Sequence, residues 1–254
     1  MGDLMKPIIG IVGRPGFNQK TTIEVLDSYR IAIIKSGGIP ILILPTQTVE
    51  YYNNKNISLL TMQEKDMLKR QIDLVDGILL QGGSVCYEYD KYICSIAQSK
   101  PILGICMGMQ VMCNYENDNK NIKIDKHQSG EDYVHDVYIN KNSYLYKILK
   151  EEKIKTNSKH NYKVQNSGSY NICGKSGDVI EAIEKGTGFN IGVQWHPEKN
   201  YDNDIYSQRL FREFIYHSKK FFVVCTFVIY HGFHQLKHYT YLNIHLYHQH
   251  RNLL

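Results

Sequence analysis

Short apolar runs closed by glycine or proline alternate with longer amphipathic stretches along the first half of the chain. Ile8 to Val12 leads into Gly13-Arg14-Pro15-Gly16 and reads as a buried first strand ending in a loop. Ile23 to Ser36 places Ile23, Leu26, Ile31, Ile33 and Ile34 on a loose helical stripe, stopped by Gly37-Gly38. Pro40 to Leu44 is the next apolar run, closed by Pro45. Asn53-Asn54-Lys55-Asn56 predicts a surface loop, and Thr61 to Ile72 a helix opened by Thr61 and Glu64 at capping-box spacing. Asp76-Gly77-Ile78-Leu79-Leu80-Gln81-Gly82-Gly83 is a third strand leading into glycines, a helix around Glu88 to Gln98 follows, and Ile102 to Ile105 is a fourth strand. Strands alternating with helices at this spacing imply parallel pairing, hence an α/β fold with an open, mostly parallel sheet and helices on both faces.

The second half is less regular. Tyr133 to Ile139 and Val179 to Ile183 read as strands, and Ile191 to Gln194 as a short strand. Asp204 to His217 is a terminal helix whose stripe is Leu210, Phe211, Phe214 and Ile215. From Phe221 the composition changes: Phe221 to Leu254 holds six of the eleven histidines and no Asp or Glu. Its apolar opening, Phe221 to Tyr230, is half the roughly 20 residues that a membrane-spanning helix needs. His234 and His238 are four apart, but no Cys or carboxylate joins them as a metal set. The division expected is a catalytic domain over 1–220 and, over 221–254, an appended tail, disordered or adventitious.

Bulk properties narrow the function classes. The 254 residues carry a formal charge of +5 with 22% charged side chains, too mild and scattered for a dedicated nucleic-acid surface. Met1 to Lys6 lead straight into a strand, which argues against a secretory leader. The six cysteines form no C-x-x-C pair and a chain of this length needs no disulfide framework, so a reducing cytoplasm is the expected compartment.

The chemistry concentrates at Cys106. Gly104-Ile105-Cys106-Met107-Gly108 follows a strand and opens a helix, the layout of a nucleophile elbow with sulfur in place of the serine oxygen. A Cβ at either glycine would collide with neighbouring backbone in such a sharp turn. Ninety residues on, His196-Pro197-Glu198 offers an imidazole to take the thiol proton and a carboxylate to fix the ring's tautomer. The backbone N–H of Met107 and one from Gly82-Gly83 are the natural oxyanion donors. Three strand ends carrying Gly82-Gly83, Cys106 and His196 would meet where active sites of open α/β sheets gather. Cys86, Cys94, Cys113, Cys173 and Cys225 lack any such setting and read as structural or incidental. The chemistry calls for no metal and no organic cofactor.

Gly-Ile-Cys-Met-Gly-Met-Gln from Gly104 and Gly-Val-Gln-Trp-His-Pro-Glu from Gly192 resemble the two signature motifs of class I glutamine amidotransferases. Within that superfamily the chain is similar to the peptidase C26 group, which includes gamma-glutamyl-gamma-aminobutyrate hydrolase. Asn157-Ser158-Lys159-His160 and Asp178-Val179-Ile180-Glu181-Ala182-Ile183 match further stretches of that group, so the resemblance spans roughly Lys6 to Lys219. It departs at Met107, where Arg is usual, at Ser84, where Asp is usual, and at Asn161, where a second His is common. The resemblance implies a flavodoxin-like architecture and hydrolysis of a small gamma-glutamyl amide through a thioester on Cys106. It also implies that Gln110 and His160 line the glutamyl site and that Gly83 belongs to the oxyanion loop. The alternative in the same superfamily is a glutaminase subunit delivering ammonia to a separate synthetase. A non-catalytic binding protein would not need Cys106, His196 and Glu198 intact. The partner expected is a small-molecule substrate rather than nucleic acid or membrane, with a homo-oligomer left open.

Overall fold

A computed structural model of the chain describes residues 6–16, 22–47, 59–117, 121–124, 131, 133–186 and 188–221. In chain order the elements are β1 (Ile8–Val12), β2 (Arg14–Pro15), β3 (Ile23–Glu24), α1 (Asp27–Lys35), β4 (Ile39–Ile43), α2 (Met62–Asp73), β5 (Gly77–Leu80), α3 (Glu88–Ile96), β6 (Ile102–Ile105), α4 (Met107–Asn114), β7 (Ile122–Lys123), β8 (His135–Ile139), α5 (Tyr144–Leu149), β9 (Lys153–Thr156), β10 (Tyr162–Lys163), β11 (Asn171–Ser176), β12 (Val179–Glu184) and β13 (Asn190–Val193). A last helix, α6, covers 205–221, where the described residues end. The loop at Asn53 to Asn56, the pair His234 and His238, and the tail beyond Phe221 lie outside the described residues.

Nine strands form one sheet in the order β4-β1-β5-β6-β13-β12-β11-β8-β9. The first five pair in parallel, as the alternation predicts. From β13 onward every pairing is antiparallel. Successive strand residues point to opposite faces, and the core divides accordingly. Ile9, Ile11, Leu79, Leu103, Ile105, Ile191 and Val193 pack with Tyr29 and Ile33 of α1 and Phe211 and Phe214 of α6. Val12, Ile78, Leu80 and Ile102 pack on the other side with Leu68 and Ile72 of α2, Ile93 of α3 and Met109 and Met112 of α4. Helices on both faces explain why β5, β6 and β13 are buried at every position and why they read as unbroken apolar runs. Each such Leu or Ile contributes about 1.5–3 kcal/mol by leaving water.

Local signals hold where they are chemically specific. The Thr61 side chain accepts the Glu64 N–H while the Glu64 carboxylate accepts the Thr61 N–H at 2.7 Å, the predicted capping box of α2. The helix expected from Ile23 starts only at Asp27, because Ile23 and Glu24 pair with Pro15 and Arg14 instead. Gln81 enforces this from afar: its side-chain amide donates to the carbonyls of Val12 and Glu24 at 2.9 Å each, and its amide oxygen accepts the Leu26 N–H. No described helix is long and apolar enough to cross a membrane.

Candidate active site

The β6 strand ends at Ile105 and α4 begins at Met107, so the whole reversal falls on Cys106, at φ 54° and ψ −108°. A side chain in that region costs about 1–3 kcal/mol and persists only where the surroundings hold it. The Cys106 N–H donates to the Val193 carbonyl at 2.8 Å, and its carbonyl accepts the Gln110 N–H at 3.2 Å. Both flanking glycines serve close approach. A Cβ on Gly104 would stand 2.9 Å from the Gly108 carbonyl carbon, and one on Gly108 would run into the Leu80 carbonyl. Strand and helix therefore touch backbone to backbone, and the thiol is left 6% exposed at the rim.

β13 lies beside β6 and carries the chain through Gln194 and Trp195 to His196. The imidazole Nδ1 is 2.7 Å from Glu198 Oε1, and the Cys106 side chain is near enough to act on the ring. Burial alone would weaken the ring's hold on its proton, but the Glu198 charge, joined by Cys106, outweighs it and pushes His196 up to about 10. The backbone of His196 is gripped from outside its strand: Asn157 accepts its N–H and donates to its carbonyl, both at 2.8 Å. The third strand end arrives at Gly82. A Cβ there would lie 2.9 Å from His196 Cε1 and 3.6 Å from Cys106 Cβ, so glycine is the residue that lets the three ends meet. The Gly82 N–H donates to the buried Tyr29 hydroxyl at 3.0 Å. The expected oxyanion donors Gly82, Gly83 and Met107 all line the cavities beside Cys106, Gly83 both of them.

Two cavities flank the thiol. One, of about 390 Å³, is lined by Gly83, Met107, Gln110, Asn114, His160 and Tyr162. The other, of about 420 Å³, is lined by Arg14, Glu24, Leu26, Tyr87, His196 and Lys199. Cys106, Gly83, Ser84 and Lys159 border both. Gln110 is held rigidly in the first: its amide donates to the Tyr162 carbonyl at 3.0 Å and to Gln194 at 3.1 Å, and accepts from Asn121 at 2.8 Å. His160 directs Nδ1 at the Tyr162 carbonyl, 3.0 Å away, and Nε2 toward Glu181, at 3.7 Å. Glu181 is fully buried and lies 3.4 Å from His135 as well. Burial pushes its carboxyl up, yet the two imidazoles prevail and hold it below the usual range.

Sequence patterns pick out Cys106, His196, Glu198, Gly82, Gly83, Met107, Gln110 and His160, and all eight surround these cavities or the pair that bridges them. Tyr29, the grip of Asn157 on His196, and the buried Arg14–Asp90 ion pair carry no sequence signal, because each is a contact between segments far apart in the chain. Among the other described thiols, burial pushes Cys86 and Cys113 up to about 12 and raises Cys94 and Cys173 well above the ordinary thiol value. Among the described residues no group of three or more His, Cys, Asp or Glu side chains is arranged to hold a metal ion.

Residues 87–198 match the Peptidase C26 family model, a span holding both Cys106 and the His196-Glu198 pair. Over 225 residues the chain is 28% identical to the candidate glutamine amidotransferase PB2B2.05 of Schizosaccharomyces pombe, covering 75% of this chain and 81% of that protein. It is 31% identical over 155 residues to the glutamine-hydrolyzing GMP synthase of Dictyostelium discoideum, covering 56% of this chain but 21% of that longer protein. Among solved structures, a candidate GMP synthase subunit from Thermoplasma acidophilum superposes with a TM-score of 0.63 at 17% identity, over 88% of this chain and 99% of that one. The glutaminase domain of Trypanosoma brucei CTPS, with bound acivicin, superposes with a TM-score of 0.58 at 16% identity, over 84% and 94% of the two chains. These structural likenesses establish the fold. The family match and the relatives, together with the two motifs, make the chain similar to the class I glutamine amidotransferase-like proteins.

Proposed function

We propose that the chain hydrolyses the side-chain amide of a glutamyl group through a thioester on Cys106, with His196 and Glu198 completing a Cys-His-Glu triad. The observation that carries this reading is the convergence at Gly82, where the space for one methyl group is bounded by the His196 ring and the Cys106 Cβ. The thiolate attacks the amide carbonyl, and the backbone N–H groups of Gly83 and Met107 stabilise the oxyanion, by about 2.7–4 kcal/mol per donor. His196, holding the thiol proton with Glu198 behind it, passes that proton to the leaving nitrogen, and the C–N bond breaks. Water then attacks the thioester, His196 takes its proton, and the acid leaves as the sulfur regains its hydrogen. The cavity holding Gln110 and His160 is the seat of the acyl half.

Two forms of this reaction differ in the leaving amine. The names of the relatives, a glutamine amidotransferase and a glutamine-hydrolyzing synthase, favour a glutaminase that releases ammonia for a separate synthetase. The second cavity, on the His196 side of the thiol, favours the alternative: about 420 Å³ is far more than ammonia needs and suits a larger gamma-glutamyl amine. Purified chain is to be assayed against glutamine and a panel of gamma-glutamyl amines, with Cys106→Ala as control. Turnover should fall by about 10³-fold or more in Cys106→Ala with the thermal midpoint near that of the parent. Parental rates in that variant would remove Cys106 from the mechanism. Steady hydrolysis of larger amines without added protein selects the stand-alone form, and glutaminase activity that requires a partner selects the other.

A further inference from the structure

We propose that the Tyr29 hydroxyl is a positioning group that locks the glycine turn after β5 and the His196-Glu198 pair into one unit. The inference rests on the reading of Cys106 and His196 as the reacting pair. Tyr29 projects from α1 with no exposed surface, one of the largest fully buried side chains in the molecule. Its oxygen accepts the Gly82 N–H at 3.0 Å and stands 3.4 Å from His196 Nδ1. That nitrogen already gives its proton to Glu198 Oε1 at 2.7 Å and has no lone pair to offer. The phenolic proton is therefore left to face the Glu198 carboxylate, whose charge acts on the phenol. Glu198 Oε2 is buried and has no hydrogen-bond partner among the described residues, so an acceptor stands open for that proton.

The hydroxyl thus accepts from one strand end and abuts the imidazole and carboxylate carried by another. Burial first, and then the Glu198 charge, hold the phenol's pKa well above 10, so it stays a neutral donor across the working range. Two consequences follow for the chemistry. With its N–H committed to Tyr29, Gly82 cannot swing toward the thiol, and the next residue, Gly83, is the one presented to both cavities. With one oxygen on the imidazole and a neutral donor at hand, the carboxylate keeps the ring aimed at Cys106 without overbinding its proton.

The test is Tyr29→Phe, which keeps the ring in its packing and deletes the oxygen. Three readouts are taken on parent and variant: kcat and KM on the best amide substrate, the NMR titration of the His196 ring, and hydrogen exchange at the Gly82 amide. The expected result is a kcat lower by about 10- to 100-fold with KM within about threefold. The His196 ring should titrate higher by about half a pH unit, since its carboxylate has lost a competing donor. Gly82 exchange should accelerate by at least about tenfold. Lost activity with an unchanged ring titration and unchanged Gly82 exchange would reduce Tyr29 to a packing residue and overturn the proposal. Should Tyr29→Phe fail to fold, the parent decides: a Gly82 amide exchanging as fast as an open loop means the bond is absent and the proposal wrong. If the parent hydrolyses no amide yet the ring and Gly82 readouts respond, it is the proposed reaction that fails and not the role of Tyr29.

Discussion

The two halves of the sheet contribute differently to one site. The parallel half, β4 through β13, delivers Gly82, Cys106 and His196 from three strand ends, each preceded by a strand buried at every position. The antiparallel half supplies what surrounds them: Asn157 on the His196 backbone, His160 in the wall of one cavity, and Glu181 behind it. Under the proposed function the three reacting groups sit at the ends of buried strands, while the antiparallel half adds His160 to the wall of one cavity and the other cavity is lined mainly by the parallel half.

Gly82→Ala is the harshest challenge to that division. Its methyl group would meet His196 Cε1 at 2.9 Å, and the ring must give way. A displacement of about 1 Å can cost on the order of 10²-fold in rate, so kcat should fall by about that factor with KM little changed. A drop confined to KM would mean that the parallel half also selects substrate. His160→Gln tests the other side: KM should rise by about tenfold with kcat within about threefold, because an acyl-side contact is lost and no reacting group moves. A kcat loss as large as that of Gly82→Ala would erase the distinction.

Titration should separate the halves more gently. His196 is raised from 6.5 to about 10, so the stability it contributes is fully present below about 6.5 and is lost as pH climbs through 10. Glu181 is lowered from 4.5, so its contribution is present above that value and disappears as pH falls below it. The thermal midpoint should therefore decline on both flanks, by roughly 2–4 °C per kcal/mol lost in a chain of this size. His196→Gln should flatten the alkaline flank alone and Glu181→Gln the acid flank alone. A variant that flattened both would show the two halves to be electrostatically coupled.

The parallel half is also the legible one. Its strands are short apolar runs ending in glycine, because helices cover both of their faces, and the motifs that carry chemistry sit at their ends. The antiparallel half is legible only in part, with β8 and β12 readable as strands and β9 and β11 hidden. β9 reads Lys-Ile-Lys-Thr, with two charged side chains in four residues. β11 is broken by register shifts around Gly174, and α5 has six residues, too few to display a stripe. The start of α1 escapes the sequence pattern for a related reason, since the Gln81 side chain, 57 residues from Glu24, holds that segment extended. Asn157 and Glu181 fall in recognisable stretches, but their tasks are set by what folding brings against them.

The backbone of Cys106 has one last implication, for anyone who engineers this chain. Its dihedral angles suit glycine and burden every residue with a side chain. Cys106→Gly would relieve the turn, and selection for heat resistance alone would drift toward that exchange. Every such campaign would have to score turnover alongside melting, or it would favour chains that have discarded their sulfur.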